Sequence, residues 1–183
     1  EAVRRAAAAQ ADYEAALTRI GQATLDYARA HKIPAVVLCG SLHVIHDPAV
    51  NAALPAILRR NGVLTLPMDA FPVPAGIPAL SRAVWVDANR ALRVALASRA
   101  LGDVYPVLLS AFGCGPASFN EHLFGTLMDG YPHTALESDG HGGAAGYVTR
   151  VQAFLHTVRK HDRRPSPVRD ARLGVLEPIR ERA

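Results

Sequence analysis

Cys114 sits in the run Gly113-Cys114-Gly115-Pro116, and a thiol in a strand-to-helix turn of that kind is either a metal ligand or nucleophile or a small packed side chain. The flanking glycines let the backbone turn tightly and approach a bulky group. Pro116 and Ser118 open the helix that follows, whose N-terminus favours an anion. Cys39, inside the apolar run AVVLC, reads as a packing residue. His43, His46 and Asp47 are spaced loosely like ligands or acid-base groups, with no second pair at recognised spacing, and Asp47 just before Pro48 also suits a helix N-cap. Asp139 and His141 flank the glycines of GHGGAAG, with Arg150 soon after. That arrangement reads either as an anion-binding turn at a helix N-terminus or as a Gly-rich loop. It is not the dinucleotide fingerprint, because it follows the last strand-like run.

Four short apolar runs of the kind buried on both faces must position these residues. They predict strands near 35–40, 63–67, 106–112 and 133–138. Helical segments follow each of them, over Pro48–Arg60 with a kink at Pro55, Leu80–Leu101, Ser118–Met128 and Tyr147–Lys160. On the last of these Val148, Val151, Phe154, Leu155 and Val158 share a face. The Ala-rich start predicts one long helix over 2–31, anchored by Val3, Tyr13, Leu17, Ile20 and Tyr27 and bending near Gly21. The fold expected is therefore α/β: a three-layer Rossmann or flavodoxin-like domain with a four-stranded parallel sheet in the order 2-1-3-4, preceded by a long N-terminal helix. Residues 1–160 form a single domain on this reading, and 161–183 a charged, Pro-containing linker or arm. Ligands of such sheets bind beyond the carboxyl ends of the strands. That edge should carry Ser41, His43 and Asp47 after the first strand, Met68 and Asp69 after the second, Cys114 after the third, and Asp139, His141 and Arg150 after the fourth.

Composition narrows the classes. A chain of 183 residues, half of them hydrophobic, is sized for one domain. No apolar run approaches the roughly 18 residues of a membrane span, and the start lacks the pattern of a signal peptide. Two cysteines are too few for a disulfide scaffold and point to a reducing cytoplasm. Of the +4 net charge, +3 falls between Lys160 and Ala183. With 6% aromatics and no basic stripe interleaved with stacking rings, nucleic acid is not an expected partner.

Three segments, in order, then resemble one family. SLHVIHDPAVNAALPAILRRNGVLTLPMDAF is similar to the GRPYHxxDPxxNxxIPxxLxxLGxxVLPxD segment of the proteins associated with activation of 2-hydroxyacyl-CoA dehydratases. YPVLLSAFGCGPASFNEHLFGTLM resembles their PVxxSNFGCGPDSF segment, and DGHGGAAGYVTRVQAFLHTV their DEHSxxAGxxTRxEAF run. The resemblance implies a Rossmann-like subdomain of a large, often multidomain protein. In that family an ATPase activator with an iron-sulfur cluster drives single electrons to a dehydratase-type partner that holds its own cluster. Cys114 matches the cysteine of FGCGP and would be one ligand of a cluster shared with another domain or chain. The family's companion cysteines come from a Cys-Tyr-Pro motif that this sequence lacks, so no cluster is expected on the isolated chain, which looks like one subdomain of something longer. Implied partners are the ATPase activator, a second dehydratase-like subdomain and acyl-CoA. Ser41-Leu42-His43 replaces the family's Arg-Pro-Tyr, Ala117 its Asp, and Gly140 and Gly142 its Glu and Ser, whereas Asp47, Asn51, Asp69, Asp139, His141, Thr149 and Arg150 are retained.

Three functions stay open at this level: a redox subdomain contributing Cys114 to a shared cluster, a non-catalytic docking or acyl-CoA-binding module, and a thiol enzyme using Cys114 with His141 or His43 as base. The cofactor-binding candidates are Ser41, His43, Asp47, Asp139, His141 and Arg150. Arg150 either holds an anion such as a CoA phosphate or pairs with Asp139 or Glu137.

Overall fold

The computed structural model describes residues 1–80, 85–111, 113–138 and 144–162. The predicted Asp139 and His141 and the arm from 163 onward lie outside them. In chain order the elements are α1 (Ala2–His31), β1 (Ala35–Cys39), α2 (Leu42–His46), α3 (Leu54–Arg60), β2 (Leu64–Pro67), α4 (Val86–Leu101), β3 (Val104–Ser110), α5 (Gly115–Leu127), β4 (Thr134–Glu137) and α6 (Ala144–Asp162). All strand pairs are parallel, in the order β2-β1-β3-β4, as expected. β1 and β3 occupy the centre and are buried at every position, which is why they read as unbroken apolar runs. The chain leaves β1 for β2 on one side and then crosses back over β1 to β3. Right-handed crossovers therefore put α3 on one face and α4 on the other. α3 packs on α6 and β2, whereas α4 packs on α5, β1 and β3.

α4 is buried nearly all round, with Ala91, Leu92, Val94, Ala95 and Ala97 sealed. Its last turn also buries Arg99, which donates from Nη1 to the carbonyls of Leu127 (2.7 Å), the last residue of α5, and Asp129 (2.8 Å), just past it. These carbonyls end a helix that has no basic residue in its last turn, so a cation from α4 serves them. Arg99→Leu should therefore cost about 2 kcal/mol, the order expected for hydrogen bonds from a charged group. Urea unfolding, with the exposed Arg159→Ala as control, measures it, and equal midpoints would contradict this role.

Two expectations about helices need correction. Val3, Tyr13, Ile20 and Tyr27, read as anchors of α1, are all more than half exposed, and Leu17 is half-buried. The buried residues are Gly21, Leu25 and Ala28. α1 runs unbroken through Gly21 and lies so close to the loop after β2 that a Cβ there would sit 1.7 Å from the Ala70 carbonyl oxygen. Backbone proximity at Gly21, together with the sealed Leu25 side chain, seats this helix. The helix predicted from Pro48 begins at Leu54 instead, with Pro55 in its first turn. Asp47 does cap, but it caps a turn: its Oδ1 accepts from the Ala49 N–H at 2.8 Å. Ala52 and Ala53 follow in the left-handed region, at φ 51° and 53°, which interrupts helical propagation. At the other end of the chain α6 continues to Asp162, two residues past the boundary drawn from sequence, and buries Val151, Phe154, Leu155 and Val158 as expected.

Candidate functional site

The reversal of strand order between β1 and β3 opens a crevice at their carboxyl ends, where the connections diverge to opposite faces. A cavity of about 450 Å³ occupies it. β1 delivers Gly40, Ser41 and His43; β3 delivers Leu108 to Ala111; α4 presents Trp85 and Asp87 from its N-terminus; α5 presents Cys114, Ala117, Asn120 and Glu121. Gly40 makes this junction possible. Its φ is +145°, and a Cβ would lie 2.3 Å from the Leu109 carbonyl oxygen.

The polar groups around the cavity are unevenly matched. Asp87 Oδ2 accepts the Leu42 N–H at 3.3 Å, tying the start of α2 to the start of α4. Asn120 is nine-tenths buried, and its Oδ1 has no hydrogen-bond partner. Trp85 and Phe119, each more than 40% exposed, meet edge to face at 6.4 Å and form an aromatic lip. Among the described residues no Lys or Arg lines it, while two carboxylates, Asp87 and Glu121, do. The crevice thus favours an uncharged group with hydrogen-bonding capacity over a phosphate.

Of the site residues expected from sequence, Ser41, His43 and Cys114 line this one cavity. Asp47 is exposed in the turn beyond α2, and Arg150 is exposed on α6; neither lines it. Cys114 is half-buried at the N-cap of α5, whose first turn begins as its carbonyl accepts from the Ser118 N–H at 2.9 Å. A Cβ at Gly115 would meet nothing, and one at Gly113 only the Ser118 hydroxyl at 3.8 Å, so neither glycine is required by close packing against the described residues. Cys39 is sealed, and burial pushes its thiol well up from the ordinary range. Among the described residues no three His, Cys, Asp or Glu side chains converge to hold a metal ion. Cluster iron takes about four thiolates, and this chain offers one that reaches a surface, so a complete cluster does not fit on its own donors.

Sequence reasoning missed the wall contributed by Trp85, Asp87 and Asn120. A signal existed for the first two, because the helix after the second strand of a parallel sheet must also begin at the ligand edge.

No curated protein and no solved structure matches the chain. A family model does match part of it, and the matched part holds α1, β1, α2, α3 and β2: residues 1–71 are similar to the family described as CoA enzyme activase uncharacterised domain.

Proposed function

We propose that this chain is a subdomain of a CoA enzyme activase-type protein and that its β1–β3 crevice receives the uncharged acyl-pantetheine arm of a CoA thioester. The observation that carries the proposal is the crevice itself: a switch-point cavity with an apolar lip and no Lys or Arg among its described lining residues. The similarity of residues 1–71 to the CoA enzyme activase family supports the choice of ligand. An amide-bearing, otherwise apolar chain matches such a cavity, whereas the nucleotide phosphates must stay outside it, away from Asp87 and Glu121.

Trp85 is the single tryptophan of the sequence and stands at the lip, so its fluorescence reports occupancy directly. Acetyl-CoA and free pantetheine should each change the Trp85 emission saturably, and adenosine 3′,5′-bisphosphate should not. Filling the crevice with Ala117→Phe should abolish both responses. Saturable response to the bisphosphate alone, or to none of the three, would overturn the proposal.

A second reading concerns Cys114, which reaches the surface at the rim of the same crevice. In this reading it supplies one thiolate to an iron-sulfur cluster completed by another domain or chain, as the resemblance around FGCGP implies. Absorbance of a cluster reconstituted in the longer parent protein, lost in Cys114→Ser, would support it.

A further inference from the structure

A second cavity, of about 320 Å³, lies between the carboxyl-terminal halves of β1 and β2 and the turn that joins α2 to α3. It shares no lining residue with the crevice. Its walls are largely apolar, with Leu38, Ile45, Pro55 and Pro67 among them, yet two polar atoms sealed from solvent in its lining residues have no partner: Asn51 Oδ1 and Thr65 Oγ1. Native proteins rarely leave such groups unpaired, and each exception calls for a physical reason. Asn51 is 97% buried, with 3% of its surface exposed. Its amide orientation is fixed, because Nδ2 donates to the Ile45 carbonyl at 2.9 Å. The unpaired atom is therefore an acceptor. His46 also lines the cavity, and its Nε2 lies 3.0 and 3.1 Å from the two oxygens of Asp69. Next to these residues the chain passes through the left-handed Ala52–Ala53 pair, a conformation that costs alanine free energy.

We propose that this cavity is a binding site for a small uncharged molecule that carries a hydroxyl or amide N–H donor on an apolar body. The donor pairs with Asn51 Oδ1, and Thr65 Oγ1 completes the arrangement. Net charge is excluded by the lining. A carboxylate or phosphate would meet the Asn51 Oδ1 acceptor, and an ammonium would find no carboxylate among the described lining residues. The inference does not rest on the reading of the crevice, since no group is common to the two.

The test follows the side-chain amide resonances of Asn51 in ¹⁵N-labelled protein during titration with N-methylacetamide and, separately, 2-propanol, with acetate and ethylammonium as charged controls. Both neutral probes should shift these resonances saturably, and neither ion should. Thr65→Val keeps the shape and removes the hydroxyl, so it should leave the free protein at least as stable and weaken the neutral probes about tenfold, the equivalent of one hydrogen bond. Absence of a saturable shift, as when an ordered water alone bridges the two groups, would overturn the proposal. So would equal affinity in Thr65→Val or a stronger response to either ion. The wild-type titration decides the matter even if the variant is poorly folded.

Discussion

Gly40→Ala should destabilise the domain by on the order of 3–5 kcal/mol, because two separate penalties fall on one residue. Gly40 holds φ at +145°, which L side chains rarely adopt, and an added Cβ would stand 2.3 Å from the Leu109 carbonyl oxygen, which belongs to a central strand. A flexible side chain can swing away from such a contact, but β3 cannot, since it is paired to β1 on one side and β4 on the other. The relief available is to part the ends of β1 and β3, which is also the floor of the crevice. Loss of stability should therefore come with loss of the Trp85 response to pantetheine. Gly115→Ala is the matched control: nothing lies within 4 Å of its added Cβ, and alanine in the first turn of α5 is neutral to mildly favourable. Urea unfolding of the two variants side by side tests the argument, and similar midpoints would refute it.

The sheet was legible in the sequence because its central strands are sealed on both faces. Runs such as AVVLC and VYPVLLS show no apolar–polar alternation to suggest a half-exposed strand, and the helices between them force parallel pairing. α1 was legible as a helix but not in its orientation. Apolar bulk at Tyr13, Ile20 and Tyr27 marks a seven-residue column, whereas the side that docks carries Gly21, Leu25 and Ala28, and at Gly21 the missing side chain lets backbones approach. The turn from Asp47 to Ala53 was misread for a related reason. Asp-Pro is a helix-start signal that here starts a turn, and the left-handed alanines that end it carry no local signature of that conformation. The site was legible through chemistry delivered by strand ends, namely Ser41, His43 and Cys114. Trp85 and Asn120 come instead from the faces of helices whose rotation only the packed structure sets, and Thr65 acquires its meaning from burial beside Asn51.

The two cysteines should differ in reactivity by on the order of a thousandfold or more in the native state. Cys114 is half-buried at a helix start on the rim of a cavity and is reached by N-ethylmaleimide without any unfolding. Cys39 ends the central strand β1, pairs with Leu108 of β3 and has no exposed surface, so its alkylation waits on an opening of the centre of the domain. With folding free energies of about 5–15 kcal/mol, that open state is populated at no more than about one part in several thousand. Mass spectrometry of peptides after timed labelling should find Cys114 modified first and Cys39 only as denaturant is added; equal rates in native buffer would mean that β1 is not sealed. The same burial has a consequence for pH. The Cys39 thiol is pushed up from its ordinary value near 9.0 because the sheet cannot solvate a thiolate. The stabilisation that follows is fully present below pH 9 and is lost as pH rises, since the unfolded chain releases the proton while the native chain keeps it. That loss amounts to about 1.4 kcal/mol for each pH unit above the unfolded value. Tyrosines and lysines also titrate there, so the difference between wild type and Cys39→Ala isolates the thiol. Wild type should lose stability between pH 9 and 11 more steeply than the variant, by about 2–3 kcal/mol over that interval.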